Sequence, residues 1–163
     1  MSITFAPRLE VKILDPRLRE WGLPNYQSAM AAGIDLHACC PSQLELAPGA
    51  AAILISAGIA VHLADPNLAA IIVPRSGLGH KKGLVLGNLI GLIDPDYTGP
   101  ISVSAWNRNG PGTEPIVIQP GERIAQMVFI PVVRPVFEIV DEFSNETSRG
   151  SGGFGSTGTG HRS

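Results

Sequence analysis

Gly87-Asn88-Leu89-Ile90-Gly91-Leu92-Ile93-Asp94-Pro95-Asp96-Tyr97-Thr98-Gly99-Pro100-Ile101 is the least ordinary stretch of the chain. Its apolar runs are broken every few residues by glycine or proline, so no run is long enough to hold a helix, and the pattern reads as strand, turn, strand. Two carboxylates, Asp94 and Asp96, flank Pro95, and Tyr97 follows them. A proline disfavours the α region for the residue before it, which keeps Asp94 extended.

The same punctuation recurs throughout, with 19 glycines and 14 prolines in 163 residues, and it predicts an all-β domain. Downstream, Ile101, Val103 and Ala105 alternate with Ser102, Ser104 and Trp106, predicting a half-buried strand. Further strands are expected at Val11–Leu14, Ala31–Ala38, Leu44–Leu46, Ile53–Ile55, Ile59–Leu63, Ala69–Val73 and Ile116–Ile118. Arg123–Val133 would be the longest strand and Val136–Val140 the last. In Ala31–Ala38, Ile34 and Leu36 share one face and Gly33 and Asp35 the other. Within Arg123–Val133, Gln126 interrupts a face carrying Ile124, Val128 and Ile130; a buried amide there must bond nearby backbone or face a ligand. Asp15–Ser28, with two prolines and no helical period, reads as a surface connection.

Pro74–Gly83 is the one good site for a helix, and a short one. Ser76 is its expected cap, Lys81 and Lys82 suit its negative C-terminal end, and Gly83 suits a left-handed exit. Amides at its start, beside Arg75 and a serine hydroxyl, form a phosphate-compatible arrangement; a plain strand-to-helix turn with a surface arginine is the bland alternative.

Composition narrows the function. A chain of this length supports one hydrophobic core without disulfides or metals. The net charge of −2 lacks the basic excess with which nucleic-acid binders neutralise phosphates. The two cysteines, Cys39 and Cys40, are adjacent and close no loop, and neither a leader nor a membrane-length apolar run is evident, which predicts a cytoplasmic or nuclear protein, with the cytoplasm preferred. Four isolated histidines give no zinc spacing. Residues 144–163 hold almost no aliphatic side chains and one aromatic ring, Phe154, so they read as a flexible glycine-rich C-terminal arm on a domain of residues 1–143. Gly153–Gly158 matches G-x-G-x-x-G, but no strand leads into it and no helix follows, so it is not a dinucleotide fold.

Arg75-Ser76-Gly77, Gln126, Arg149 and Ser156-Thr157 all offer groups suited to phosphate, and together they suggest a polyphosphate ligand. No nucleophile elbow or cysteine–histidine pattern is present, so water is the better nucleophile.

At this point the residues resemble a known family. Ala32-Gly33-Ile34-Asp35, Pro74-Arg75-Ser76-Gly77-Leu78, Gly87–Ile101, Gly121-Glu122-Arg123-Ile124-Ala125-Gln126 and Arg149–Gly158 are similar, in order and spacing, to the five motifs of the trimeric deoxyuridine triphosphatases (dUTPases). The likeness spans residues 11–158. It implies a jelly-roll-like β domain and a homotrimer with three sites at subunit interfaces. It also implies hydrolysis of dUTP to dUMP and pyrophosphate, which limits uracil incorporation into DNA and supplies dUMP for thymidylate synthesis.

Carried over residue by residue, the resemblance makes Asp94 the general base for the attacking water. It assigns phosphate oxygens to Arg75, Ser76, Gly77 and Gln126. Mg²⁺ would be held by substrate phosphates and water, with no direct protein ligand, and Asp35 would support its water shell. Uracil would be read by Asn88 and the backbone of Gly91, Leu92 and Ile93, and Tyr97 would pack under the deoxyribose and exclude a 2′-hydroxyl. In the arm, Phe154 would stack on the base while Arg149, Ser156 and Thr157 touch phosphate, the arm crossing to a neighbouring subunit. A dCTP deaminase, which shares the fold but releases ammonia, and a trimeric scaffold without turnover are the competing readings.

Overall fold

Alternating apolar positions, closed by tight turns, give ten antiparallel strands among the described residues. The computed structural model describes residues 7–145, 147, 150 and 151. One four-stranded sheet runs β1 (Glu10–Ile13), β4 (Ile53–His62), β8 (Pro100–Asn107), β6 (Leu84–Leu86). The other runs β2 (Gly33–His37), β10 (Arg123–Pro131), β5 (Leu68–Pro74), β7 (Gly91–Ile93). β3 (Leu44–Leu46) and β9 (Ile116–Ile118) form a two-stranded ribbon. This is an all-β, jelly-roll-like architecture. The alternation falls as the period-2 pattern requires: Ile101, Val103 and Ala105 of β8 and Ile34 and Leu36 of β2 are buried in one continuous core.

Several expectations need correction, and the longest strand is β4, of ten residues, not β10, of nine. Ile53–Ile55 and Ile59–Leu63 lie largely within one strand, β4, whose pairing with β8 shifts register between Ser56 and Ala60 around Gly58 at φ 70°; glycine reaches that conformation without steric cost. In β10 a register shift between Arg123 and Ala125 moves the core face. Ala125 and Met127 are fully buried, whereas Gln126, Val128 and Ile130 share the opposite, half-buried face; one slipped residue exchanges faces.

Asp15–Ser28 is not plain connection, because it contains a four-residue helix, α1 (Leu18–Trp21). So short a helix cannot stand alone in water. It is anchored by the fully buried Leu18 and by Arg17. That guanidinium donates to both Asp15 carboxylate oxygens and to the Cys40 carbonyl, and stacks 4.7 Å from the Trp21 ring centre. The predicted helix after Pro74 is a π-helix, Leu78–Lys82, with Gly83 left-handed at φ 78° as expected. Ser76 does not cap it: Ser76 and Gly77 are already helical, Gly77 with φ −64° and ψ −41°, and the Gly79 N–H donates to the Arg75 carbonyl at 2.9 Å.

The chain divides into two units, Met1–Val133 and Arg134–Ser163. The second contains no strand or helix among its described residues. Val136–Val140, expected as the last strand, is irregular, and Val136, Phe137 and Ile139 are exposed; a lone period-2 segment gains a ladder only from a partner edge. Among the described residues no helix is long and apolar enough to cross a membrane.

Candidate active site

Three adjacent strands build the first half of the site. Gln126 on β10 stands opposite Asp35 on β2 and Val73 on β5, and Arg75 follows directly where β5 ends. A cavity of about 530 Å³ opens there, lined by Asp35, Arg75, Ser76, Gly77 and Gln126, all five named from the sequence.

Asp35 is the hub. Its Oδ1 lies 3.1 Å from Arg75 Nε and its Oδ2 accepts from Arg123 Nη1 at 3.0 Å. Arg75 Nη1 also donates to the Arg123 carbonyl at 3.1 Å. The guanidinium is thereby held through Nε and one N–H of Nη1, leaving the remaining N–H groups in the fixed fork geometry that suits phosphate oxygens. The Gln126 amide donates one hydrogen to the Pro74 carbonyl at 3.1 Å, the backbone bond expected of it, and the residue also lines the cavity.

Arg123, Lys81, Lys82 and Gln27 also line this cavity and were missed by the sequence reading. Lys81 and Lys82 had been explained by the helix dipole. Arg123 stood inside a recognised motif at the start of a strand facing Asp35, which was the available signal. Four cationic side chains thus meet one carboxylate, a surface matched to a polyanion. His37, two residues beyond Asp35, is buried. Burial pushes its pKa below the usual value; Asp35 opposes the shift, while Arg123 and Arg75 add to it.

The second half lies around the opening stretch. A turn over Pro95-Asp96, closed by the Tyr97 N–H on the Asp94 carbonyl at 3.2 Å, links β7 to the residues leading into β8. A cavity of about 360 Å³ is lined by Leu92, Ile93, Asp94 and Tyr97, with Leu54, Pro100 and Ser102. Asp94 is exposed and so able to meet solvent. The Tyr97 hydroxyl donates to the Pro100 carbonyl at 3.0 Å.

Asn88 and Gly91 line neither cavity. Asn88 is exposed in the β6–β7 turn, where its carbonyl accepts from the Ile90 N–H at 2.7 Å and Leu89 takes φ 65°. Gly91 is buried opposite Ile72, whose Cβ would stand 3.0 Å from any Cβ added to the glycine. Arg149, Phe154, Ser156 and Thr157 lie outside the described residues.

The two cavities share no lining residue. Ile93 pairs with Ala70 near one end of β5, whereas Arg75 follows the other end. Continuing that register puts Asp94 level with Ala69, so Asp94 and Arg75 of one chain are separated by about six residues of strand, ~20 Å at the usual rise per residue.

Comparison with known proteins places this geometry. The dUTPase family model matches residues 19–158. The deoxyuridine 5'-triphosphate nucleotidohydrolase of Klebsiella pneumoniae (strain 342) is 57% identical over 152 residues, covering 93% of this chain and 97% of that protein. A dUTPase variant of Staphylococcus bacteriophage 80alpha, solved with dUpNHpp, superposes with a TM-score of 0.80 at 26% identity, over 94% of this chain and 99% of that one. A mutant dUTPase from phage phi11 of S. aureus, solved with a structural Mg(II) ion, shares the fold with a TM-score of 0.73 at 22% identity, over 85% of this chain and 99% of that one. Extensive identity to curated relatives, a family match across most of the chain and a shared fold lead to one conclusion: the chain belongs to the dUTPase family.

Proposed function

We propose that the protein hydrolyses dUTP to dUMP and pyrophosphate in a site assembled between copies of the chain, one copy holding the phosphates and its neighbour supplying the nucleoside pocket and the base. The observation that carries this reading is the ~20 Å of β5 between Asp94 and Arg75. Within one copy the base and the phosphate clamp line separate cavities with no residue in common, which supports drawing the two halves of the site from different copies. A homotrimer satisfies this.

In that site the Asp94 carboxylate accepts a proton from a water as the water oxygen bonds to the α-phosphorus. The bond from that phosphorus to the bridging oxygen breaks, and pyrophosphate leaves in line. Arg75, Gln126 and the amides of Ser76 and Gly77 take up charge on the phosphate oxygens. Tyr97 packs under the deoxyribose, and Asn88 with the Gly91–Ile93 backbone reads uracil.

Among the described residues no cluster of three metal-ligating side chains occurs, and the one carboxylate of the phosphate cavity has an arginine on each oxygen. That donor set fits Mg²⁺ carried by triphosphate oxygens and water, with Asp35 accepting from its water ligands. Bound there, the ion would neutralise phosphate charge.

Residues 144–163 act as an arm from a domain of residues 1–143, closing over a neighbour's site with Arg149, Phe154, Ser156 and Thr157. Working in the cytoplasm, the enzyme keeps uracil out of DNA and supplies dUMP for thymidylate synthesis. Asp94→Asn should retain dUTP binding by calorimetry yet lose on the order of 10²–10⁴ in kcat, the usual contribution of a general base. Full turnover in this variant rejects the assignment of the base.

A further inference from the structure

Gly99 has no backbone reason to be glycine. It does not take positive φ, unlike seven other glycines among the described residues, so an alanine would adopt its conformation without strain. Space is what makes the difference. A Cβ on Gly99 would stand 2.5 Å from Tyr97 Oη, 2.7 Å from Cζ and 2.9 Å from Cε2. The Tyr97 ring is folded forward over the Gly99 backbone, and its hydroxyl is tied to the Pro100 carbonyl at 3.0 Å. The ring thus has a seat, made by a missing side chain and one carbonyl, and remains partly exposed where it lines the cavity shared with Asp94.

We infer that Gly99 is a specificity-positioning residue: the bare backbone at this position holds the Tyr97 ring at the depth at which it tells a deoxyribose from a ribose. The inference rests on the reading of Tyr97 as the sugar platform. Gly99 itself touches no substrate. The crowded atoms all belong to the far end of a side chain with two rotatable bonds, so a methyl group at position 99 is relieved by moving the ring and not by moving the backbone. The fold therefore tolerates the substitution while the sugar filter does not. Discrimination against an added hydroxyl by shape alone is on the order of a hundredfold, and a displaced ring forfeits part of it.

The test compares kcat/KM for dUTP and UTP, by pyrophosphate release, in full-length protein carrying Gly99→Ala, Tyr97→Ala or both. Gly99→Ala is expected to raise the UTP:dUTP ratio roughly tenfold, with the assembly and melting temperature of the parent. In the Tyr97→Ala background, where no ring remains to displace, the same change should leave the ratio where Tyr97→Ala alone put it. Tyr97→Phe, which keeps the ring and removes only its bond to the Pro100 carbonyl, probes the seat without touching Gly99 and should shift the ratio in the same direction by less. Parallel losses for both nucleotides in Gly99→Ala, or an equal effect with the tyrosine absent, overturn the inference. If Tyr97→Ala admits UTP and neither Gly99→Ala nor Tyr97→Phe does, the seat alone is wrong. If Tyr97→Ala still excludes UTP, the sugar-platform reading falls and the inference with it.

Discussion

The separation of Asp94 from Arg75 along β5 can be turned into a measurement on two inactive proteins. Asp94→Asn removes the proposed base and leaves the cavity around Arg75 intact. Arg75→Ala removes the phosphate clamp and leaves the base. If each site takes its base from one copy and its phosphate cavity from the next, a site is whole when an Arg75→Ala copy supplies Asp94 and an Asp94→Asn copy supplies Arg75. In a closed ring with one kind of head-to-tail interface, random association of equal amounts puts the right variant on each side in about one half of cases. About one quarter of sites are then restored, whatever the number of copies in the ring. The variants would be unfolded together, refolded as a mixture and assayed for pyrophosphate release beside each variant refolded alone. Recovery near a quarter of parental kcat, with an unaltered KM in the restored sites, is the expected result. Activity no greater than the mean of the two variants, in a mixture shown by native mass spectrometry to have exchanged subunits, would refute the composite site. It would equally refute the reasoning from strand register on which that site rests.

Two other outcomes are expected. Asp35→Asn keeps the side chain's size but offers one acceptor to two arginines. With Arg75 33% and Arg123 45% exposed, each lost ionic bond is worth about 1 kcal/mol. Removing a negative charge some ~5 Å from the nearest phosphate charge returns about 0.8 kcal/mol in near-aqueous surroundings, and salt screens the more distant phosphate charges. The positioning effect wins, and dUTP binding measured by calorimetry in EDTA should weaken by up to roughly tenfold; tighter binding would show that Asp35 acts only as a repelling charge. His37 has a pKa lowered chiefly by burial, so between its unfolded value near 6.5 and its lower folded value the unfolded chain binds more protons. Stability should therefore be complete above about pH 6.5 and decline as pH falls below it; His37→Phe should flatten melting temperature against pH in that window, and an unchanged slope would exclude His37 as its source.

How much of this was legible in the sequence depends on where the information lies. Period-2 alternation marks β2 and β8 because their inner faces meet a core, and Ile34, Leu36, Ile101, Val103 and Ala105 are buried as their spacing requires. The shift in β10 was invisible, since Ile124-Ala125 presents two apolar residues in a row and only the partner strands decide which faces inward. α1 was hidden for a related reason: its stability comes from the burial of Leu18 and the contacts of Arg17, not from helical periodicity. In the site, Asp35, Arg75, Ser76, Gly77 and Gln126 converge on one cavity and Leu92, Ile93, Asp94 and Tyr97 on another. Arg123 and the lysine pair escaped notice because a charged residue at the end of an element has the same sequence signature whether it meets solvent or a phosphate.

Strand order also bears on the proposal that the opening stretch is both selector and hydrolytic centre. β7 belongs to one four-stranded sheet and β8 to the other, so the segment from Asp94 to Gly99 must cross between sheets that are each fixed by long ladders. Its ends are pinned at Ile93 by Ala70 and at Pro100 by Ala60. Between those points the turn over Pro95-Asp96 and the seating of Tyr97 on Gly99 remove much of the remaining freedom. A loop held at both ends by different sheets can keep a carboxylate and an aromatic ring in constant relation without being buried itself, which suits a base that must be open to water and a filter that must not yield. The cavity around Arg75 is built differently, from two partly exposed arginines paired to a largely buried carboxylate, with charged side chains that can adjust to a flexible, charged ligand. Rigidity is thus concentrated at the nucleoside end, where discrimination depends on shape, and compliance at the triphosphate end, where attraction depends on charge.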